Sequence, residues 1–383
     1  MLKKHDFPKK IAFIHGDSNV IAGSELSLLQ IMKKIDHSLF YPILITTRKE
    51  IFTELVKKNN IEVKIIPLHR FNKKHPLRFI KTIFSLLAYF FNNRISLIHV
   101  NNIYPCQYSV IVSKIARKPI VCHPRTTGYY KYGVDSSLVK YVDRVICISE
   151  GVEHTMLQLG IKKEQINRVT NGVNLKEFDT ALKYENIFRK EYNIPDDCTL
   201  IGQFGQIIER KGIKDFLDMT RIVTNKCKNV RFILVGDQHY DEGAYRKQME
   251  QYCKDIGMEK HVIFTGFRTD VYQVMSETDI HVLASDIEGL SCVLIEAASL
   301  KKPIVATNIL GNNEAIIDGV TGLLTPVSDP NSLANKIILL VNDKGLSKKL
   351  GENARKRVAT YFNQETELKT IQDIYFDLLR IKS

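Results

Sequence analysis

Short apolar runs alternate along this chain with longer stretches in which apolar residues recur at helical spacing. Runs of the first kind fall at Ile11–His15, Tyr41–Thr46, Glu62–Ile66, Ser96–Val100, Pro119–His123 and Arg144–Ile148. A second set falls at Leu200–Phe204, Val230–Val235, Val262–Phe264, Ile280–Leu283 and Ile304–Ala306. Strands this apolar are buried on both faces, and strands alternating with helices predict parallel, doubly wound α/β sheets. Leu175 to Cys198 is polar and lacks a sustained apolar period apart from Ile187–Phe188, so a linker is expected near residues 175–190. Ligands of such sheets sit beyond the carboxyl ends of the strands. The informative polar residues are then His99, Asn101, Asn102, His123, Arg125, Ser149 and Glu150.

One stretch gathers more of this chemistry than the others, Ala284-Ser-Asp-Ile-Glu288-Gly-Leu-Ser-Cys-Val-Leu-Ile-Glu296-Ala-Ala298. It reads as a strand end, a Gly-containing loop and a helix that Ser291 is placed to cap. Free backbone amides near Gly289–Cys292 favour an anion. At 1.5 Å of rise per residue, Glu296 lies roughly 8–12 Å from Glu288, about the span of a sugar–diphosphate–ribose unit. Near the N-terminus, Ile11–His15 leads through a Gly16 loop to Ala22-Gly23-Ser24-Glu25, where Ser24 is placed to cap an amphipathic helix whose apolar residues Leu26, Leu29 and Ile31 recur at helical spacing. Gly205-Gln-Ile-Ile-Glu-Arg-Lys211-Gly212 likewise follows a strand and opens a helix, placing Lys211 where it would face a phosphate.

Glu288 and Glu296, with seven residues between them and Gly-Leu after the first, resemble the E-x7-E signature of the retaining family 4 glycosyltransferases, which have the GT-B fold. The Gly23 loop resembles that family's G-G-x-E, with Ala22 for the first Gly. Gly205–Gly212 resembles its G-R-x-x-x-x-K-G, with Gln206 in place of Arg. Asp143–Ser149, Asn171–Asn174, Val235–Asp237, Phe264–Phe267, Pro303–Thr307, Asn313–Glu314 and Gly319–Leu324 continue the match in order.

The resemblance implies two Rossmann-like domains facing a cleft: 1–178 for the acceptor, 179–361 for a nucleotide-sugar, and a closing helix over 362–383 that packs back on the first domain. Gly23, Gln206, Lys211, Glu288, Gly289, Leu290, Ser291 and Glu296 are implied as donor ligands. Glu296 would take the ribose hydroxyls and Glu288 the sugar hydroxyls. Lys211 would neutralise the departing diphosphate, and His123 would reach the donor sugar from the first domain. Lys211, Glu288 and His123 are thus the candidate catalytic groups, with Arg125 and Asn101 as acceptor or phosphate contacts. Gln206 donates a hydrogen bond but carries no charge, and Arg210 is the candidate to compensate. Neither a metal nor another cofactor is expected, and the absence of Asp-x-Asp argues against the metal-dependent GT-A type. A UDP-sugar is favoured over a GDP-sugar as donor.

Charge refines the choice of partner. Residues 1–180 carry 28 Lys and Arg against 14 Asp and Glu, whereas residues 181–383 carry 27 against 28. The basic first half suggests an anionic surface, and no recognised nucleic-acid motif accompanies it. Leu77–Phe91 mixes aromatic, aliphatic and basic residues, is too short to span a bilayer, and suits the lipid interface. A lipid-linked glycan acceptor in surface polysaccharide synthesis follows, with the protein cytoplasmic and peripheral at the inner membrane face. The polar, basic Met1–Lys10 does not read as a secretion signal, and seven cysteines without C-x-x-C spacing read as reduced thiols. A nucleotide-sugar isomerase on the same fold, or a non-enzymatic basic membrane- or nucleic-acid-binding protein, are the alternatives at this point.

Overall fold

A computed structural model describes residues 8–16, 23–127, 137–181, 186–237 and 243–380 of the 383. The chain divides into two compact units, Met1–Thr170 with Glu365–Ser383, and Asn171–Gln364.

The first unit is built on β1 (Lys9–His15), β2 (Phe40–Thr46), β3 (Glu62–Ile65), β4 (Leu97–Asn101), β5 (Ile120–His123), β6 (Arg144–Cys147) and β7 (Ile166–Arg168). They form a parallel sheet in the order β3-β2-β1-β4-β5-β6-β7. The order reverses direction between β1 and β4, which opens a crevice at their carboxyl ends. The register sets His15 beside Asn101, and Asn101 beside His123, so three polar residues finish adjacent strands on one level. The core packs Ile11, Phe13, Leu44, Leu97 and Val121 against Leu28, Met32 and Phe52 from the covering helices. The helix Gln364–Leu379 adds Ile371, Ile374 and Tyr375 to the same core, with the Tyr375 ring edge-on to Phe40 at 5.5 Å.

The second unit has β8 (Thr199–Phe204), β9 (Val230–Val235), β10 (Val262–Gly266), β11 (Ile280–Leu283), β12 (Ile304–Thr307) and β13 (Leu323–Thr325), all parallel, in the order β10-β9-β8-β11-β12-β13. Its reversal lies between β8 and β11, the strands that lead into the Gly205–Gly212 and Ser285–Ser291 loops.

Several expectations are corrected. The polar stretch around 175–190 contains two short helices, Leu175–Ala181 and Ile187–Glu191. The second is tied down because Arg189 is buried and donates to Asp279 at 2.7 Å and to the carbonyls of Pro195 and Cys198, while Glu277 accepts from the amides of Phe188 and Arg189. Satisfied in this way, a charged residue can occupy an interior position that periodicity reads as surface. Ser24 does not stand outside its helix, which begins at Gly23, and the buried positions are Glu25, Leu28, Leu29, Ile31 and Met32, with Leu26 exposed. β7 and β13 are three residues long, too short to show a period.

Candidate active site

The second unit's site is made where two loops lace together above the β8/β11 reversal. Gln203, buried in β8, accepts from the amide of Ala284 at 3.1 Å and donates to the carbonyl of Lys211 at 2.7 Å, so one side chain couples both loops. The Asp286 amide donates to the Arg210 carbonyl at 2.9 Å. Gly212 has φ +62°, and a Cβ there would lie 2.0 Å from the Ala284 carbonyl oxygen, so only glycine permits this approach. On the far side, a Cβ on Gly311 would lie 2.9 Å from the carbonyl oxygens of Glu288 and Gly289, so the Leu310–Ala315 helix packs directly on the Glu288 turn.

Lys211 Nζ and Glu288 Oε1 are 2.5 Å apart in this frame. Burial alone pushes the Glu288 carboxyl up, but the Lys211 ammonium, with Arg210 nearby, more than offsets this and holds it below the usual range. Arg210 donates to the Ile287 carbonyl at 3.4 Å, which spends part of its guanidinium on the loop. Gln206 is half-buried beside Gly205, whose φ of +132° carries the backbone close to the Lys211 side chain.

Glu296 lies in the helix Cys292–Ser299, where the Leu294 amide donates to the carbonyl of Ser291 at 3.2 Å. Ser291 occupies the N-cap position, but its side chain makes no capping bond, so the expected cap is corrected. Gly289, Leu290 and Ser291 are all buried. Glu296 is half-buried and accepts from the Tyr272 hydroxyl at 3.3 Å, and the Tyr272 ring packs on Phe178 at 4.6 Å. Desolvation raises its carboxyl to about 7 although the Tyr272 bond works the other way. The two carboxylates of the E-x7-E pattern therefore differ: the Lys211 ammonium favours the charged form of Glu288, whereas burial favours the neutral form of Glu296.

The first unit gathers a second polar cluster at the ends of β1, β4 and β5. Arg125, buried, donates from Nε to Asn101 Oδ1 at 3.0 Å and from Nη1 to Ser27 Oγ at 2.9 Å, and its amide donates to Asn102 Oδ1. Asn101 Nδ2 is 3.2 Å from His15 Nδ1, and His15 Nε2 is 3.3 Å from Glu25. His123 is fully buried, with Nδ1 3.2 Å from His99 Nε2. Gly23 is exposed as the first residue of its helix, and Ala22 lies outside the described residues. Asn101, His123 and Arg125 are therefore neighbours, as are Lys211 and Glu288, with Glu296 on the helix that follows. Sequence reading passed over Gln203, Tyr272, His15 and Tyr375. A polar Gln inside the run Leu200–Phe204 was a usable signal for the first, whereas the tyrosines offered none. Among the described residues, no group of three or more His, Cys, Asp or Glu could hold a metal ion.

Residues 23–177 match the family described as Glycosyltransferase Family 4, and residues 185–357 match Glycosyl transferases group 1. Both halves are glycosyltransferase domains. The chain is similar to the capsular polysaccharide biosynthesis glycosyltransferase CapM of Staphylococcus aureus, 27% identical over 62% of this chain and 62% of that protein. It is also similar to the UDP-Gal:alpha-D-GlcNAc-diphosphoundecaprenol alpha-1,3-galactosyltransferase of Escherichia coli, 23% identical over 78% of this chain and 80% of that protein. The chain thus spans a little under two thirds of CapM. The structure of HepE from Anabaena in complex with UDP and glucose superposes with a TM-score of 0.83 at 23% identity, covering 96% of this chain and all 100% of that one. The fold is GT-B.

The difference between the two carboxylates has a sign that can be measured. Glu296 has a folded pKa above its unfolded value of 4.5, so its contribution to stability is full below 4.5 and is lost as pH rises through about 7. Glu296→Gln is therefore expected to raise the urea midpoint relative to wild type at pH 8, with a smaller difference at pH 5. Equal differences at the two pH values would contradict the assignment.

Proposed function

We propose that this protein transfers a sugar from a nucleotide-diphosphate donor, a UDP-sugar in preference to a GDP-sugar, to a hydroxyl of a lipid-linked glycan, with retention of anomeric configuration. The observation that carries this reading is the Lys211–Glu288 pair, held above the β8/β11 reversal at the start of the helix that carries Glu296. A cation, a hydroxyl acceptor and the N-terminal end of a helix in one loop cluster match a sugar diphosphate group by group. Donor binding would exchange the ion pair: Lys211 turns to the diphosphate and Glu288 to the sugar hydroxyls. Glu296 takes the ribose hydroxyls, which donate to it and so favour its ionised form. Gln206 adds a neutral hydrogen bond where the resembling family has an arginine.

In the reaction the bond between the anomeric carbon and the diphosphate oxygen breaks, and the acceptor oxygen bonds to that carbon on the same face. The departing diphosphate takes the acceptor's proton. Charge grows on the diphosphate as the bond breaks, so Lys211 stabilises the transition state more than the bound donor. No metal and no further cofactor enters this scheme. The UDP preference is supported by the HepE complexes with UDP and UDP-glucose, and the lipid-linked acceptor by the name of the E. coli relative.

A peripheral site at the cytoplasmic membrane face belongs to the same reading. No helix among the described residues is long and apolar enough to cross a membrane. The helix Pro76–Asn93 buries Phe79, Thr82, Leu86 and Phe90 and exposes Leu77 (76%), Ile80 (44%), Phe84 (67%) and Phe91 (59%) on its other side. Exposed Lys73, Lys74, Arg78 and Lys81 accompany this stripe, and no Asp or Glu occurs between Glu62 and Asp135. Apolar side chains with cations among them suit anionic lipid.

Given a UDP-sugar and a lipid-linked acceptor, the protein is expected to form a glycoside with the donor's own anomeric configuration, read by proton NMR. Lys211→Met should lower kcat by roughly 10²–10³-fold, the usual effect of removing one charge-stabilising group. An inverted product, or a variant of undiminished kcat, would contradict the scheme. Wild type should sediment with phosphatidylglycerol vesicles at low salt and Phe84→Ser/Leu77→Ser should do so less, whereas indifference of wild type to such vesicles would remove the membrane assignment.

A further inference from the structure

A second recess of the first unit lies at the other end of its sheet. A cleft of about 730 Å³ opens beside Pro119, Asp143 and Gln165, the residues that precede β5, β6 and β7. Those strands are neighbours, so the cleft follows three adjacent amino ends, whereas Asn101 and His123 finish their strands at the carboxyl ends. β5 has four residues, so about 13 Å of strand separates the two places. The walls come from the end of the helix Cys106–Ala116, the short turn of helix Val139–Tyr141 and the end of the closing helix Gln364–Leu379.

Six cationic side chains line this cleft: Lys114, Arg117, Lys118, Lys140, Arg144 and Arg380. Two carboxylates line it with them, and both are already engaged. Asp143 accepts from the Ile120 amide at 2.8 Å and pairs with Lys114 at 3.5 Å, and Asp377 accepts from Arg144 at 2.9 Å. Arg117, Lys118, Lys140 and Arg380 are left without a carboxylate partner among the described residues. One account of such cations is that they offset helix dipoles, since the two longer helices both end at the cleft. The magnitudes decide against it. A helix end carries about half a negative charge, so two ends offset roughly one cation and leave about three. These face one another across a concave surface, where low-dielectric walls strengthen their field. An anion of matching charge relieves that repulsion, and the guanidinium forks of Arg117 and Arg380 have the geometry that takes two phosphate oxygens at once.

We infer that this cleft is a second ligand site of the first unit, distinct from the one at the carboxyl ends of the strands, and that it takes a phosphate-bearing ligand with several negative charges. Its volume falls in the range of small-molecule sites and exceeds what a lone phosphate fills. A nucleic acid calls for a longer basic track with stacking aromatics, and Tyr141 is the only aromatic among the described residues that line the cleft. A ligand held by Arg117, Lys118 and Arg380 joins the end of the closing helix to the rest of the unit, adding to the Arg144–Asp377 pair that already bridges them. None of this depends on the protein being a transferase.

The test is amide hydrogen exchange of the full-length protein, read segment by segment, with inorganic pyrophosphate and separately with phosphatidylglycerol vesicles. Slower exchange is expected over residues 114–118, 140–144 and 376–380, and it should fade as salt is raised, because the cleft is open to screening. Protection by pyrophosphate identifies a soluble phosphate ester as the ligand, and protection by vesicles alone identifies a lipid headgroup. Lys118→Glu/Arg380→Glu reverses two side chains that bond to nothing among the described residues, cancels the excess charge, and should weaken binding by roughly tenfold or more. Slower exchange in the Gly205–Gly212 loop reports the donor site instead, so failure of either reading shows by itself. No protection of the cleft segments by either probe would overturn the inference. Protection that ignores the double substitution would do the same, as would protection by a single-stranded oligonucleotide alone.

Discussion

The Lys211–Glu288 pair depends on one side chain beneath it. Gln203 sits in β8 at the strand reversal and ties the Lys211 carbonyl to the Ala284 amide. Opposite charges at 2.5 Å in a partly desolvated loop cluster are stable only where both are held in place, since either one alone would be a costly buried charge. The close approach of Gly212 to the end of β11 and of Gly311 to the Glu288 turn fixes the loops from two sides. The result is a cation and an anion held against each other on a backbone fixed by these contacts.

The first unit applies the same topology to a different end. Its reversal lies between β1 and β4, and His15, Asn101 and His123 finish adjacent strands in register. Arg125 is buried among them with carbonyl and hydroxyl partners, and its charge helps to keep His99 and His123 neutral. The second unit thus presents a paired cation and anion, and the first a buried guanidinium among hydrogen-bonding residues at the strand ends.

Much of this was legible in the sequence, for physical reasons that also mark the limit. Fully buried parallel strands are continuous apolar runs, so β9 and β11 were expected at the residues where they occur, and the strand ends pointed to Asn101, His123 and Arg125. Glu288, Glu296 and Lys211 stood out because charged residues next to glycine loops at strand ends are few. What stayed hidden depends on contacts between residues far apart in the chain. Gln203, Tyr272 and Tyr375 hydrogen-bond to partners 81, 24 and 276 residues away. Local pattern also misled where tertiary packing overrode it. Arg189 is buried because Asp279 and the carbonyls of Pro195, Cys198 and Glu277 receive its guanidinium, and Ser291 stands at an N-cap without capping.

The account turns on the second unit taking a nucleotide diphosphate at the loop cluster that includes Glu296. Calorimetric titration of UDP and GDP into the full-length protein, repeated with Glu296→Ala, tests that most directly. The account predicts that UDP binds more tightly than GDP, and that the substitution weakens UDP by about 1.5–3 kcal/mol, the range for a hydrogen bond to a charged group. Absence of binding of either nucleotide at millimolar concentration, or an affinity that ignores Glu296→Ala, would contradict it and leave a GT-B fold without this chemistry.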